Sequence, residues 1–323
     1  MLKERHNELE YLLSYFLSVS TQVIILVLLM SVGVVLTKTK VLTSVGAKQM
    51  TDLVIYFVTP AVIIKAFAGG EVVYSPENVT RLLIAAGAAV LVHVVSLAIG
   101  LIFFGGKKDA YNKIYTAAVL MSNCGFMSLP LTQAVLGDQG VFIVTVFVGV
   151  FNVVAWSIGL ALASGQKISV KKMFINPGFI PVVAGIVMFL CRVDLSGIKI
   201  VMEPIRHLAA INTPVPMVII GYYLANAGLK IKKGDGKMFL AISLRLVLVP
   251  LISMVLLRTF GIVGDDLTAC IIPASAPVAA LLMMMSAKYS DNPELSSRVV
   301  TISHLLSVIT MPLMLTLCKY IGG

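Results

Sequence analysis

The chain has 323 residues, 59% of them hydrophobic and only 12% charged, with a mean hydropathy of +0.99. Soluble domains carry roughly 25% charged residues; a chain this apolar could not cover its own surface with polar groups, so a water-soluble fold is excluded and lipid must be part of its solvent. The formal charge of +10, from 25 Lys and Arg against 15 Asp and Glu, is spread between long apolar runs, which points to loops facing anionic membrane lipids and away from nucleic acid.

A helix crosses the hydrocarbon with roughly 20 apolar residues. Ten candidate spans follow in chain order, at residues 11–37, 52–69, 81–104, 113–136, 141–163, 177–192, 205–228, 237–257, 267–288 and 298–320. The first is too long for a signal-peptide core and no small-residue cleavage site follows it, so it reads as a mature helix. The second and sixth are short and carry proline. Loops after the odd-numbered spans hold fifteen cations: Lys38, Lys40, Lys48, Lys107, Lys108, Lys113, Lys167, Lys171, Lys172, Lys230, Lys232, Lys233, Lys237, Lys288 and Arg298. The opposite side, with both termini, holds eight: Lys3, Arg5, Arg81, Arg192, Lys199, Arg206, Arg258 and Lys319. The positive-inside rule then places both termini on the non-cytoplasmic side of the cell membrane.

The loop near residue 166 divides the spans into five and five, in segments 1–165 and 166–323. Five is odd, so a shared fold requires the second half to be inverted, as in many secondary transporters. The expected fold is an all-α integral membrane protein of two inverted five-helix repeats. Weak internal likeness supports it. Thr59-Pro60 in span 2 and Thr213-Pro214 in span 7 both precede aliphatic runs. Spans 4 and 9 carry matched interruptions: Met-Ser-Asn-Cys-Gly-Phe-Met-Ser-Leu-Pro at 121–130 and Ile-Pro-Ala-Ser-Ala-Pro-Val-Ala-Ala at 272–280. Proline removes a backbone donor and clashes with the preceding turn. In hydrocarbon such breaks persist where they are buried in protein or line a cavity, and two of them in corresponding spans mark a transport site.

A broken helix exposes the start of its second half, whose unpaired N–H groups carry about half a positive charge. Two such starts facing each other would hold a carboxylate without a full cation. Asn123 can donate and accept; Ser122 and Ser275 add hydroxyls. No Asp or Glu lies deep in a span, which argues against an antiporter built on buried carboxylates. Arg245 lies well inside span 8. It either serves the anion, ties structural carbonyls, or snorkels to the surface. Lys65, near a span end, reads as snorkelling. His93 and His304 read first as hydrogen-bonded packing residues and second as proton relays. Cys124, Cys191, Cys270 and Cys318 have no metal-ligand spacing and read as small buried hydrophobes. No metal or cofactor is expected.

With these residues in view, the chain resembles the auxin efflux carrier family, which includes the plant PIN-FORMED carriers and many bacterial members. The likeness is carried by Ser122-Asn123-Cys124-Gly125-Phe126-Met127-Ser128-Leu129-Pro130, similar to the family's Asn-x-Gly-Phe-x-Gly-x-Pro pattern, and by Val150-Phe151-Asn152-Val153-Val154-Ala155-Trp156. It continues from Pro273-Ala274-Ser275-Ala276-Pro277 through Ala287-Lys288-Tyr289 to Pro312. Ser128 stands where the family often has Gly, and Cys124 where the plant carriers have Pro. The resemblance implies broken helices 4 and 9 crossing at mid-membrane, with Asn123 as a binding residue. It also implies a scaffold of residues 11–69 and 177–228, often dimeric, and a transport domain of 81–163 and 237–320 that moves as an elevator carrying organic anions.

The expected function is a secondary carrier of a small organic carboxylate, with H⁺ or Na⁺ as the open choices for coupling. Expected site residues are Thr59, Ser122, Asn123, Cys124, Gly125, Pro130, Asn152, Thr213, Arg245, Pro273, Ser275 and Pro277. The alternatives are a sodium-coupled symporter of bile-acid type and a receptor that kept the fold without transport. An enzyme is not expected: HExxH, GxSxG and paired intramembrane aspartates are absent, and Gly234-Asp235-Gly236-Lys237 lacks the phosphate-loop spacing.

Overall fold

The computed structural model describes residues 2–106, 109–165, 167–227, 235–289 and 292–322. The loop cations Lys107, Lys108, Lys230, Lys232 and Lys233, together with Gly234, lie outside the described residues, as do the side chains of Lys3, Arg5 and Lys288. The described residues form helices: α1 (Leu2–Lys38), α2 (Ser44–Ala68), α3 (Pro76–Phe104), α4 (Ala110–Leu120), α5 (Cys124–Ser164), α6 (Val170–Phe174), α7 (Ile180–Leu190), α8 (Lys199–Ala210), α9 (Pro214–Asn226), α10 (Gly236–Thr259), α11 (Gly264–Ser275), α12 (Ala280–Tyr289) and α13 (Pro293–Gly322).

Among the described residues, seven helical stretches are long and apolar enough to cross a membrane: most of α1, α2, α3, α5, α8 with α9, α10 and α13. The expected spans 4, 6 and 9 appear in shorter pieces. Span 4 is α4 plus the start of α5, span 6 is the eleven-residue α7, and span 9 is α11 plus α12. Spans 4 and 5 are divided as expected: the helical stretch Cys124–Ser164 is broken at Gly137, whose φ 64° and ψ −158° are non-helical angles that a Cβ disfavours, so two helices meet there at a sharp bend. Span 7 begins earlier than its hydropathy indicates, because the amphipathic α8 precedes α9 across a turn at 211–213.

Proline shapes three of these helices in the same way. Pro60, Pro130 and Pro250 each follow a five-residue wide (π) turn, at Val54–Val58, Cys124–Ser128 and Leu244–Leu248. A proline ring collides with the carbonyl four residues earlier, here Tyr56, Phe126 and Leu246, and one extra residue in the turn moves that carbonyl aside. The helix bulges and continues, and the bulge places Arg245 on the inner face of α10.

α1 packs most extensively on α9 and also on α13; α2 packs on α7 and α8; α3 lies against α4, α5 and α10; α11 lies between α5 and α13. The α1–α9 contact depends on glycine. A Cβ on Gly221 would lie 2.0 Å from the Met30 carbonyl oxygen, and one on Gly33 would lie 2.1 Å from that of Val218. Small residues let helix backbones approach in lipid, where no hydrophobic drive favours helix association. Gly221→Leu is expected to separate the two helices and destabilise the protein by about 3 kcal/mol, read as a lowered melting temperature and loss of the monodisperse peak on size exclusion. The outer face of α1 is apolar and exposed, with Leu13, Leu17, Leu28, Val32 and Val35.

Ion pairs close the two ends of the bundle. At one end Arg81 binds Asp266 at 2.6 Å and Gln139 at 2.9 Å, and Lys319 approaches Asp265 at 3.3 Å. At the other, Arg298 of α13 pairs with Asp235 at the start of α10, and Lys237 donates to Asn112 at 3.2 Å. Lys65 does not snorkel: it binds Asp138 at 2.7 Å, because the Gly137 bend turns that carboxylate toward α2. Cys191 is exposed at the end of α7, unlike the other three cysteines, which are buried.

Candidate functional site

The two interrupted segments meet. α4 ends at Leu120, Met121 is extended (φ −94°, ψ 103°), and α5 starts at Cys124. α11 ends at Ser275, Ala276 is extended (φ −64°, ψ 149°), and α12 starts at Ala280. The extended pieces run antiparallel, with a bridge between Ser122 and Val278. The Asn123 N–H donates to the Pro277 carbonyl at 2.8 Å, and the Ala279 N–H donates to the Met121 carbonyl at 2.9 Å. The Val278 N–H donates to Ser303 Oγ at 3.1 Å. Backbone groups freed by the breaks therefore satisfy one another, as burial requires.

Arg245 secures the crossover from behind. It is 1% exposed. Its Nε donates to the Ala276 carbonyl at 3.2 Å, and Nη1 donates to Val119 O at 3.1 Å and to Ser96 Oγ at 3.4 Å. Nη2 donates to Pro273 O at 3.3 Å and to the Ala274 carbonyl. A guanidinium has five N–H bonds, and five acceptors surround this one. Four of them are carbonyls at the C-terminal ends of α4 and α11, where helix dipoles concentrate negative charge. The fixed cation thus neutralises the two helix ends that stop at the crossing.

On the other side, the starts of α5 and α12 border a narrow cleft of about 90 Å³. Its walls include Asn123, Gly125, Phe126, Ala279 and Leu281 from the crossover region, Ile55 and Thr59 from α2, and Phe151, Asn152 and Trp156 from α5. Pro177 and Gly178 close it. The surface is mostly apolar with a few amide and hydroxyl groups, the usual character of a small-molecule site. Asn123 is buried, and its Nδ2 lies 2.9 Å from His304 Nε2. Asn152 Nδ2 donates to Val148 O at 2.9 Å. A Cβ on Gly178 would lie 2.1 Å from Asn152 Oδ1, so that loop needs glycine to leave room for the amide. Gly178→Ala is expected to push Asn152 off position and weaken binding of any ligand held in this cleft roughly tenfold, the equivalent of about one hydrogen bond, with the melting temperature nearly unchanged.

Of the residues singled out from the sequence, Thr59, Asn123, Gly125 and Asn152 share this cleft. Ser122 lies in the bridge, Cys124 is buried beneath it, and Pro277 accepts from Asn123. Ser275 is fully buried, and its hydroxyl has no partner among the described residues. Pro273 offers its carbonyl to Arg245. Pro130 and Thr213 line a separate cavity of about 320 Å³ with Lys65, Asp138 and Asn212. His93 bonds its own helix at Ala89 O (2.7 Å) and packs on Phe147, in keeping with a packing role. The aromatic wall of Phe126, Phe151 and Trp156 and the placement of His304 against Asn123 are not among the sequence expectations. The aromatic residues lay inside the motif stretches, but no local signal joins positions 123 and 304.

A family model described as membrane transport protein matches residues 18–173 and 164–315, nearly the whole chain. The chain belongs to the membrane transport protein family. This is the PIN-like auxin efflux family that the motif at 122–130 resembles. An uncharacterized transporter of Methanothermobacter thermautotrophicus is 24% identical over 203 residues, an alignment covering 61% of this chain and 65% of that protein. For a member of a transport family, a cleft between two broken helices is the natural candidate for the substrate site.

Proposed function

We propose that this protein is a secondary transporter for a small organic anion, with the carboxylate held at the starts of α5 and α12 beside Asn123. The observation that carries the reading is the paired break: two helices interrupted at 121–123 and 276–279, hydrogen-bonded to each other, with both second-half starts on one cleft. First-turn N–H groups attract negative charge, and Phe126, Phe151 and Trp156 offer an apolar wall to a carbon skeleton.

In this proposal the short pieces complete ten crossings, as two inverted repeats divided near residue 166. Residues 11–69 and 177–228 form the scaffold, dimeric through an apolar face such as that of α1. Residues 81–163 and 237–320 form an elevator that carries the site across the cell membrane, with both termini outside the cytoplasm as the loop charges indicate. A sodium-coupled mechanism is disfavoured by Arg245. The carbonyls of Val119, Pro273, Ala274 and Ala276 would suit a sodium ion, and the guanidinium already takes them.

Purified protein in liposomes is expected to take up or exchange labelled indole-3-acetate or a dicarboxylate without Na⁺. Absence of flux for a panel of mono- and dicarboxylates, at several pH values and with or without Na⁺, would sink the proposal.

A further inference from the structure

We infer that His304 is the positioning residue that sets which face of the Asn123 amide meets the anion, and that it couples anion binding to uptake of a proton. The inference deepens the transport reading and rests on it for the identity of the ligand class.

The hydrogen bonds define the resting state. His304 Nδ1 lies 2.8 Å from the Val300 carbonyl, one turn earlier on α13. A carbonyl only accepts, so Nδ1 carries the proton. In a neutral ring Nε2 is then an acceptor, and the Asn123 Nδ2 group at 2.9 Å is its donor. One of the two amide protons of Asn123 is therefore committed to His304, and its Oδ1 is left as an uncommitted acceptor bordering the cleft. A carboxylate has only acceptors to offer. Against this arrangement it meets one remaining N–H and a repelling oxygen.

Protonation of His304 reverses the polarity. Both ring nitrogens then donate: Nδ1 still to Val300, and Nε2 to whatever Asn123 can present. Asn123 satisfies it by rotating its amide, so that Oδ1 accepts from Nε2 and both N–H bonds of Nδ2 turn toward the cleft. The site changes from mixed donor and acceptor to pure donor, the form that suits a carboxylate. One proton from water enters with each anion and leaves with it.

A second cavity offers the proton an approach to the ring. His304 borders a second cavity of about 300 Å³ between α1, α9 and α13. That cavity is also lined by Ser31, Lys38 and Thr301, and the Thr301 hydroxyl is buried without a partner among the described residues. His304 thus touches Asn123 of the cleft and also borders this second cavity, whose mostly apolar lining carries a few polar groups. Titratable groups on the helices packed around it include Lys38 on α1, Tyr223 on α9, Tyr115 on α4, Cys124 on α5, Arg245 on α10 and Cys270 on α11. Of these only Lys38 shares the cavity, and among the described residues no carboxylate lines it. Arg245 is committed to crossover carbonyls, so it is no proton acceptor for the imidazole. Among the described residues, His304 is accordingly the group beside the crossing that can take up the proton.

The test uses the full chain in lipid nanodiscs with indole-3-acetate as probe. Wild-type affinity is expected to rise as pH falls from 8 to 5.5, by up to about tenfold per pH unit, with one proton taken up per anion in calorimetry across buffers of different ionisation enthalpy. His304→Gln is expected to bind with no pH dependence and no proton uptake, while His93→Gln keeps the wild-type profile. A flat wild-type profile, proton release on binding, or an unchanged slope in His304→Gln would overturn the inference. If no carboxylate binds at any pH, the transport reading fails. The inference is then decided on ligand-free wild-type protein by ¹⁵N-histidine NMR at pH 8. An unprotonated, hydrogen-bonded Nε2 on His304 supports it, and an Nε2–H tautomer refutes it. The same spectrum decides the matter if His304→Gln does not fold.

Discussion

Asn123→Ala is expected to weaken carboxylate binding at least roughly ten- to a hundredfold while the protein still folds. Among the described residues, the amide is the only side-chain donor that the crossover itself places on the cleft. A hydrogen bond to a charged group contributes about 1.5–3 kcal/mol, so its loss alone weakens binding roughly ten- to a hundredfold. The truncation also leaves His304 Nε2 without its partner, which removes the means of presenting donors on demand. Folding survives because the backbone of residue 123, not its side chain, joins the two breaks: the N–H to Pro277 persists in any non-proline variant. Asn123→Asp is a sharper version, since it sets a negative charge beside the incoming carboxylate. Equilibrium binding and thermal melting on the same purified sample check both. Wild-type affinity in Asn123→Ala would remove the residue from the site.

Arg245→Met should have the opposite signature, a large loss of stability. Its side chain fills the same space, but four carbonyls and Ser96 lose their donor in a place that water does not reach. Removing one member of a buried, charge-assisted network destabilises by on the order of 4 kcal/mol. Poor expression and a strongly lowered melting temperature are the expected results. Arg245→Lys should fall between, because an ammonium has three donors and no planar fork to reach both helix ends. If Arg245→Met instead melts like wild type and loses only anion binding, the guanidinium serves the substrate and not the crossover.

These two residues show where reading the chain alone stops. Both stood out as polar groups within apolar runs, a local and reliable signal because lipid penalises them wherever they point. Their roles were not legible. Asn123 meets a histidine 181 positions away, and Arg245 meets acceptors 28 to 149 positions away. The same holds for Lys65, which reads as snorkelling until Asp138, 73 positions on, is brought to it by the bend at Gly137.

The sequence by itself determined that the chain is helical and lies in a membrane, where its helices are interrupted, and to which family it belongs. Those features follow from hydropathy over a span and from proline and glycine acting on their own turn, both of which are short-range. Only the tertiary structure decided that the two interruptions lie side by side, that an arginine ties them from one side, and that a histidine lies within hydrogen-bonding distance of the asparagine on the other. Hydrogen bonds between distant positions depend on how whole helices pack, and helix packing in lipid turns on shape details such as Gly33 against Val218, which hydropathy does not register.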